Sequence, residues 1–177
     1  MKKSFHYFFL LLVVVFGCDS LEDRAVIGIP IIFEEQFEIF TDTVGIPFSI
    51  SRIINATQNG DVAENVNNIK DYQIKSVKYL ISNVITEGDS VITHGAISFS
   101  TIDTSKVVDF VQEDINLNEL ETPNEEQEVE YTSEQLAIIG EILKSGNQIY
   151  VEYTADIDTV ASYTYKIIID ISMKVGI

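Results

Sequence analysis

The most regular alternation of apolar and polar residues lies near the end of the printed sequence. Apolar side chains occupy every second position from Tyr163 to Val175, and most of their neighbours are polar. These thirteen residues predict a strand roughly 43 Å long, because a strand rises about 3.3 Å per residue. One face of the strand would be buried and the other mostly wet, as in an antiparallel sheet.

Shorter alternating runs predict further strands. They cover about residues 26–39, 46–51, 74–86, 90–102 and 149–153. Pro30 and Pro47 indicate an edge or a bend for the first two, because proline has no N–H to donate to a neighbouring strand. The turn at residues 87–89 joins 74–86 to 90–102, and we expect these two to pair as a hairpin.

One segment has the periodicity of a helix instead. Thr132 and Gln135 form a T-x-x-Q capping box, which predicts a helix from Ser133 to Lys144. Its apolar side chains recur at i, i+3 and i+7, in Leu136, Ile139 and Leu143. We expect this stripe to close one end of a β structure, with Gly146 as the left-handed cap. A second, short helix is expected from about Asp61.

These elements predict an all-β fold. We expect an antiparallel β-sandwich, immunoglobulin-like in general architecture, with seven or eight strands and one inserted α-helix near residues 133–144. The length suits a single domain over residues 26–177, because about 150 residues can bury a substantial core.

The first eighteen residues have a different pattern. Lys2 and Lys3 precede an apolar run from Phe5 to Phe16, which ends at Gly17 and Cys18. A run of this length spans roughly 18 Å as a helix, against about 30 Å of membrane hydrocarbon. The layout therefore predicts a secretory signal peptide over residues 1–17 and not a membrane span.

The junction at Cys18 resembles the lipobox of bacterial lipoproteins. Val15, Phe16 and Gly17 stand at its −3, −2 and −1 positions, and Cys18 is the only cysteine in the chain. The resemblance implies that Cys18 becomes the mature N-terminus and carries acyl chains, palmitate among them. It implies a cell-envelope protein of the outer membrane, with the periplasmic face and the cell surface both open as locations.

Residues 18–25 would then be the lipidated cysteine and a short tether. The acidic run from Asp19 to Asp23 resembles the export signal of Bacteroidetes surface lipoproteins, and a plain solvated tether explains it equally well. The alternative for the whole leader is an ordinary signal peptide with an incidental cysteine.

Charge then limits the partners of the mature chain. Without Lys2 and Lys3 it has nine basic and 28 acidic residues, a formal charge of −19. Such a domain repels phosphate backbones, so we expect no nucleic-acid partner. It repels anionic lipid as well, so we expect membrane attachment through the acyl chains alone. With Cys18 acylated, no thiol remains for a disulfide or a cysteine-based metal site.

Carboxylates crowd residues 112–128, which we expect to form an exposed loop. Seven acidic side chains there suggest Ca²⁺, which takes six to eight oxygen ligands. Their spacing matches no EF-hand, and a solvated loop is the simpler interpretation. His94 and the Asp156/Asp158 pair match no catalytic motif. We therefore predict no enzyme activity, no metal and no cofactor.

Tyrosines offer the one candidate ligand surface. Tyr150, Tyr153, Tyr163 and Tyr165 lie on two strands that we expect to be neighbours, and exposed aromatic rings suit a glycan or a protein partner. The alternative is that Tyr153, Tyr163 and Tyr165 face the core.

Three classes of function follow from these features. The first is a non-catalytic, lipid-anchored binding or accessory module. The second is an adhesin or pilus-type subunit that uses a free edge at residues 163–175. The third is a glycan-binding lipoprotein of an uptake system, which needs a row of exposed aromatic rings.

Overall fold

The computed structural model describes residues 26–42, 45–86, 88–119 and 125–176, and these form a β-sandwich. Its strands are β1 (Val26–Thr41), β2 (Phe48–Asn55), β3 (Ile69–Thr86), β4 (Val91–Ser100), β5 (Val107–Val111), β6 (Ile115–Asn116), β7 (Gln127–Glu128), β8 (Gln148–Ile157) and β9 (Ala161–Gly176). A 3₁₀ turn (Ala56–Gln58) precedes the helix α1 (Gly60–Asn65), and the helix α2 spans Ser133–Gly146.

Two antiparallel sheets pack face to face and bury one core. The first has the strand order β1-β9-β3-β7, and the second has β2-β8-β4-β5 with β6 alongside β4. The predicted all-β sandwich with an inserted helix is confirmed. The described residues contain nine strands, whereas the sequence predicted seven or eight. The short strands β6 and β7 form inside the acidic segment, which was expected to be only a loop.

The long strand predicted near the end of the sequence is β9, and it lies inside the first sheet. It pairs with β1 over sixteen residues and with β3 on its other side. Its inward residues, such as Ile167 and Ile171, are buried. Both edges of β9 are therefore occupied, and the strand offers no free edge to another chain.

Pro30 and Pro47 mark edge strands, which is one of the two positions that the sequence indicated. Pro30 lies in β1, and Pro47 comes directly before β2. Each of these strands is outermost in its sheet. The missing proline N–H therefore removes no inner ladder bond.

The predicted hairpin between residues 74–86 and 90–102 is wrong. β3 pairs with β9 in the first sheet, whereas β4 pairs with β8 and β5 in the second. The chain crosses from one sheet to the other between the end of β3 and the start of β4. Alternation shows only that each strand buries one face, and either sheet satisfies that requirement.

The helix α2 covers one side of the sandwich, between β3 and β5. Its N-terminus has the predicted capping box, in which Thr132 and Gln135 bond each other's backbone N–H. Ile139 and Leu143 are fully buried. The cap is Asn147 and not Gly146: Asn147 is left-handed (φ 54°) and donates its N–H to the Leu143 carbonyl at 2.7 Å.

Close packing fixes α2 against β3. The Gly140 Cα lies so near the Tyr72 carbonyl oxygen that a Cβ would be 2.3 Å from that oxygen. On its other side, Gln135 Nε2 donates to the Asp109 carbonyl of β5 at 2.8 Å. The helix therefore closes the side of the sandwich and does not plug an end. The short helix expected from Asp61 is α1, with Asn59 as its N-cap and Val62 buried.

Candidate functional site: an acidic cleft beside the tyrosine stack

The four tyrosines singled out in the sequence separate into two environments. Tyr153, Tyr163 and Tyr165 are fully buried, whereas Tyr150 is half-buried and lies on the outer face of the second sheet. Their strands, β8 and β9, face each other across the core and are not neighbours in one sheet. The expected platform of exposed rings is therefore absent at the three buried tyrosines, and the core-facing alternative describes them.

The buried rings form a stack through the core. The centroids of Tyr153 and Tyr165 are 3.9 Å apart with their planes 10° apart. Tyr79 also stacks with Tyr165, at a centroid distance of 5.6 Å and with the planes 6° apart. The hydroxyls of Tyr153 and Tyr163 are 3.2 Å apart. Burial raises the pKa of Tyr153, Tyr163 and Tyr165 well above the ordinary tyrosine value.

At the Tyr79 end the stack reaches a surface cleft of about 300 Å³. The cleft lies between the β3–β7 edge of the first sheet and the segment that joins β5 to β6 in the second. Tyr79 and Gln112 line it together with three apolar side chains, Val111, Ile115 and Val129, and four carboxylates, Glu113, Asp114, Glu128 and Glu130. We call this the acidic cleft.

Gln112 is the buried polar residue of the acidic cleft. It is 8% exposed, and its Nε2 donates to the Tyr165 hydroxyl at 2.5 Å. Its backbone N–H donates to the Gly95 carbonyl at 2.8 Å. Its Oε1 accepts no hydrogen bond from any described residue. This oxygen lies against Gly95 of β4, where a Cβ would be 3.0 Å from it.

The charge of the acidic cleft is negative. Burial, and then the nearby Glu113 carboxylate, raise the pKa of Tyr79. Lys78, the residue before Tyr79, points to the opposite face of the sheet because successive side chains of a strand alternate. There it lies 3.0 Å from Glu126 and 3.2 Å from Asp170. It therefore does not line the cleft.

One of the four carboxylates already has a neutral partner. The Tyr131 hydroxyl donates to Glu128 Oε1, and this bond raises the pKa of Tyr131. Glu113 and Glu130 are exposed, and neither forms a hydrogen bond or an ion pair with another described residue.

The acidic segment does not gather its carboxylates around one point. Among the described residues, no group of three or more His, Asp or Glu side chains is placed to hold a metal ion. Glu126 is engaged with Lys78, and Glu121 lies outside the described residues. The calcium interpretation gains no support from this arrangement.

His94 is the exposed residue of a bulge in β4. Its φ is 50°, it is 85% exposed, and its Nδ1 lies 3.4 Å from Asp156 Oδ2. Asp158 has a structural role, because its Oδ1 accepts the Val91 backbone N–H at 2.7 Å. No described hydroxyl is bonded to His94, so these residues do not make a nucleophile–base pair.

The two residues that define the floor of the acidic cleft carry weak signals in the sequence. Tyr79 continues the inward alternation of β3 and is indistinguishable from a core ring. Gln112 follows Val108 and Phe110 at the next inward position of the alternation. The only sign of it in the sequence is therefore a polar residue at a position where the pattern predicts a buried one. Cys18, the predicted lipidation site, lies outside the described residues. No helix of the described residues is long and apolar enough to cross a membrane.

Comparisons with known proteins leave the family open. No protein-family model matches the chain, and no curated protein matches it. Three virus structures align over most of the chain. Desmodium yellow mottle tymovirus aligns at 14% identity and a TM-score of 0.28, covering 88% of this chain and 95% of that one. Tobacco necrosis virus aligns at 10% and 0.31, covering 81% and 95%. Turnip yellow mosaic virus aligns at 8% and 0.23, covering 82% and 95%. These similarities are too low to carry an argument.

Proposed function

We propose that this protein is a non-catalytic, lipid-anchored component of a bacterial cell envelope, held at the outer membrane by acyl chains on Cys18. The observation that carries the proposal is the position of the only cysteine, directly after a short apolar leader and a small residue. The sandwich begins at Val26, so eight residues separate it from the leader. At about 3.4 Å per residue, this tether keeps the domain within roughly 27 Å of the lipid.

The pairing of β1 sets the orientation of such a domain. Val26 pairs with Gly176 at the end of the sandwich where Asn68 also bonds the Gly176 N–H. This end carries α1 and would face the membrane. The opposite end, which carries residues 88–90 and 158–160, would face away from it.

A binding or accessory role has more support than the two alternatives. A strand-adding adhesin would need a free edge at residues 163–175, but β1 and β3 occupy both edges there. A glycan platform would need exposed rings, but three of the four candidate tyrosines are buried.

The arrangement of titratable groups favours a non-catalytic role. An active site brings a nucleophile, a base and an orienting group into one cleft. Here the largest pKa shifts belong to tyrosines in the core, where burial alone accounts for most of the shift. His94 faces solvent with a single carboxylate.

Cell fractionation tests the anchor. The full chain should sediment with the membrane fraction, and Cys18→Ser should move to the soluble fraction because the thiol is the only attachment point for the acyl chains. Ser20→Ala in the same segment is the matched control and should stay with the membrane. A Cys18→Ser protein that remains in the membrane fraction would overturn the proposal.

A further inference from the structure

We propose that one end of the sandwich docks on the phospholipid headgroups of the leaflet that holds the anchor. This inference rests on the proposed function and adds a contact surface to it. The surface is the end at which β1 begins, and we call it the tether end. It comprises residues 26–28, 56–71, 101–107, 144–148 and 174–176.

The tether joins the fold at this end. Val26, the first residue of β1, pairs with Gly176, and the Gly176 N–H donates to the Asn68 carbonyl at 3.0 Å. Residues 18–25 are the whole length of chain between the proposed anchor and Val26. Because so short a tether keeps the tether end close to the lipid at all times, a weak contact is sufficient to hold it there.

The second sheet contributes to the same end. The Ala56 N–H, just after β2, donates to the Asn147 carbonyl, just before β8, at 2.8 Å. The segments 101–106 and 145–148 line one shallow cleft, so the turn between β4 and β5 lies beside the end of α2. The tether end is therefore a surface built from both sheets and both helices.

The charge of the domain is distributed unevenly between its two ends. The segments 88–95, 112–119 and 154–164 of the opposite end contain no Lys or Arg. They carry six carboxylates, on Asp89, Glu113, Asp114, Glu119, Asp156 and Asp158. The tether end has four lysines, Lys70, Lys106, Lys144 and Lys174, and four carboxylates, Asp61, Glu64, Asp71 and Asp103. An anionic lipid surface therefore repels the opposite end much more strongly than the tether end.

Three lysines of the tether end have no carboxylate at ion-pair distance. Lys70, Lys144 and Lys174 form no ion pair with a described residue, whereas four other cations do, namely Arg52, Lys78, Lys106 and Lys166. Lys70 lies over Gly176, where a Cβ would be 2.5 Å from its Cε, and Lys174 lies beside Gly28. These two side chains cover backbone with their apolar stems, and their ammonium groups can reach lipid phosphates.

Exposed apolar side chains accompany these lysines. They are Val26, Ile27, Val66, Ile102 and Val107. Apolar side chains together with lysines suit the boundary between headgroups and acyl chains. The opposite end also exposes apolar side chains, in Phe40, Ile46 and Ile85, but its segments 88–95, 112–119 and 154–164 supply no Lys or Arg to offset repulsion by anionic lipid. The combination therefore distinguishes the tether end.

Hydrogen–deuterium exchange measured by mass spectrometry tests the docking on the mature protein. The protein is placed in vesicles of phosphatidylethanolamine and phosphatidylglycerol and is compared with the same protein in non-ionic detergent. Amides of residues 60–68 and 101–106 should exchange roughly threefold more slowly on the vesicles, because lipid covers them. Amides of residues 88–95 and 112–119 should exchange at an unchanged rate. The amides of β9 show in each sample that the fold is intact.

A second sample separates the docking from the anchor. Cys18 is the only cysteine, so the unacylated mature chain can be coupled through its thiol to a maleimide lipid in the same vesicles. This sample has the same tether whether or not the cell acylates Cys18. The fractionation of Cys18→Ser then reports failure of the anchor, and exchange in the coupled sample reports failure of the docking.

Charge-matched variants make the test specific to the tether end. Lys70→Gln/Lys174→Gln should lose about half or more of the slowing on the vesicles, because two contacts with lipid phosphate are removed. The control Lys75→Gln/Lys166→Gln removes the same charge from the body of β3 and β9 and should retain the slowing. Raised salt should act as the first variant does, because it screens exposed charges.

Three results would overturn the proposal. The first is equal exchange at the two ends of the vesicle-bound protein. The second is an equal loss of slowing in the control variant, which would mean that net charge and not the tether end determines the contact. The third is slowing that occurs in native membranes and is absent from the lipid vesicles, which would identify a protein as the occupant of this surface.

Discussion

Tyr153 and Tyr165 stack with their ring centroids 3.9 Å apart, although they belong to different sheets. The contact joins one inner strand of each sheet, β8 and β9. Aromatic pairs add about 0.5–1.5 kcal/mol beyond the area that they bury. Both rings are fully buried, so this pair helps to hold the two sheets together.

The hydroxyl of Tyr165 accepts the Gln112 amide and should matter for stability. In Tyr165→Phe the stacked ring stays, but the buried Nε2 of Gln112 loses its acceptor. We expect the free energy of unfolding to fall by about 1–3 kcal/mol. The matched control is Tyr150→Phe on the outer face, which should change stability by less than about 0.5 kcal/mol. Urea unfolding of both variants measures the difference, and equal midpoints would contradict the role given to this bond.

Gly140 permits α2 to lie against β3. In Gly140→Ala the new Cβ would stand 2.3 Å from the Tyr72 carbonyl oxygen, and the helix would have to move. We expect a loss of about 1–3 kcal/mol, despite the gain of about 1 kcal/mol in helix propensity. In Gly146→Ala, within the same helix, the Cβ would meet nothing within 4 Å. Thermal unfolding should show a lower Tm for the first variant and an unchanged or higher Tm for the second; the reverse order would refute this packing.

Alkaline pH should unfold the domain cooperatively. The pKa of a tyrosine in the unfolded chain is near 10, whereas burial raises that of Tyr72 to about 12 and those of Tyr153 and Tyr165 further. Because these folded-state pKa values are raised, stability is retained below pH 10. Stability is lost as pH rises from about 10 towards the folded-state pKa values, by about 1.4 kcal/mol per pH unit for each phenol that is still protonated in the folded protein.

Ultraviolet absorbance of tyrosinate measures this transition together with circular dichroism. The buried phenols should ionise in the same pH step in which the strands are lost. Smooth ionisation of all tyrosines near pH 10, with the circular dichroism unchanged, would show that these rings are accessible to solvent.

The sequence predicts the elements of this fold better than their pairing. The alternation from Tyr163 to Val175 and the capping box at Thr132 are local patterns, and both mark elements that the structure contains. Pairing depends on which sheet receives the next strand, and no local pattern records that choice. The turn predicted at residues 87–89 indicates where one strand ends and the next begins, yet β3 and β4 lie in different sheets.

The acidic cleft was less predictable for the same reason. Its residues come from β3, from the β5–β6 segment and from around β7, which are separate in the sequence and meet only in the folded chain. Tyr79 alone looks like a core residue, and Glu113 alone looks like a solvated charge. Only the folded chain shows that they share one cleft.

The chemical state of Cys18 tests the central claim most directly. Intact-mass and N-terminal peptide mass spectrometry of the protein from the membrane fraction would determine it. We predict a mature chain that begins at Cys18, with a diacylglycerol thioether on its sulfur. A chain in that fraction that begins elsewhere, or that carries Cys18 as a free thiol, would contradict the proposal of a lipid-anchored envelope protein.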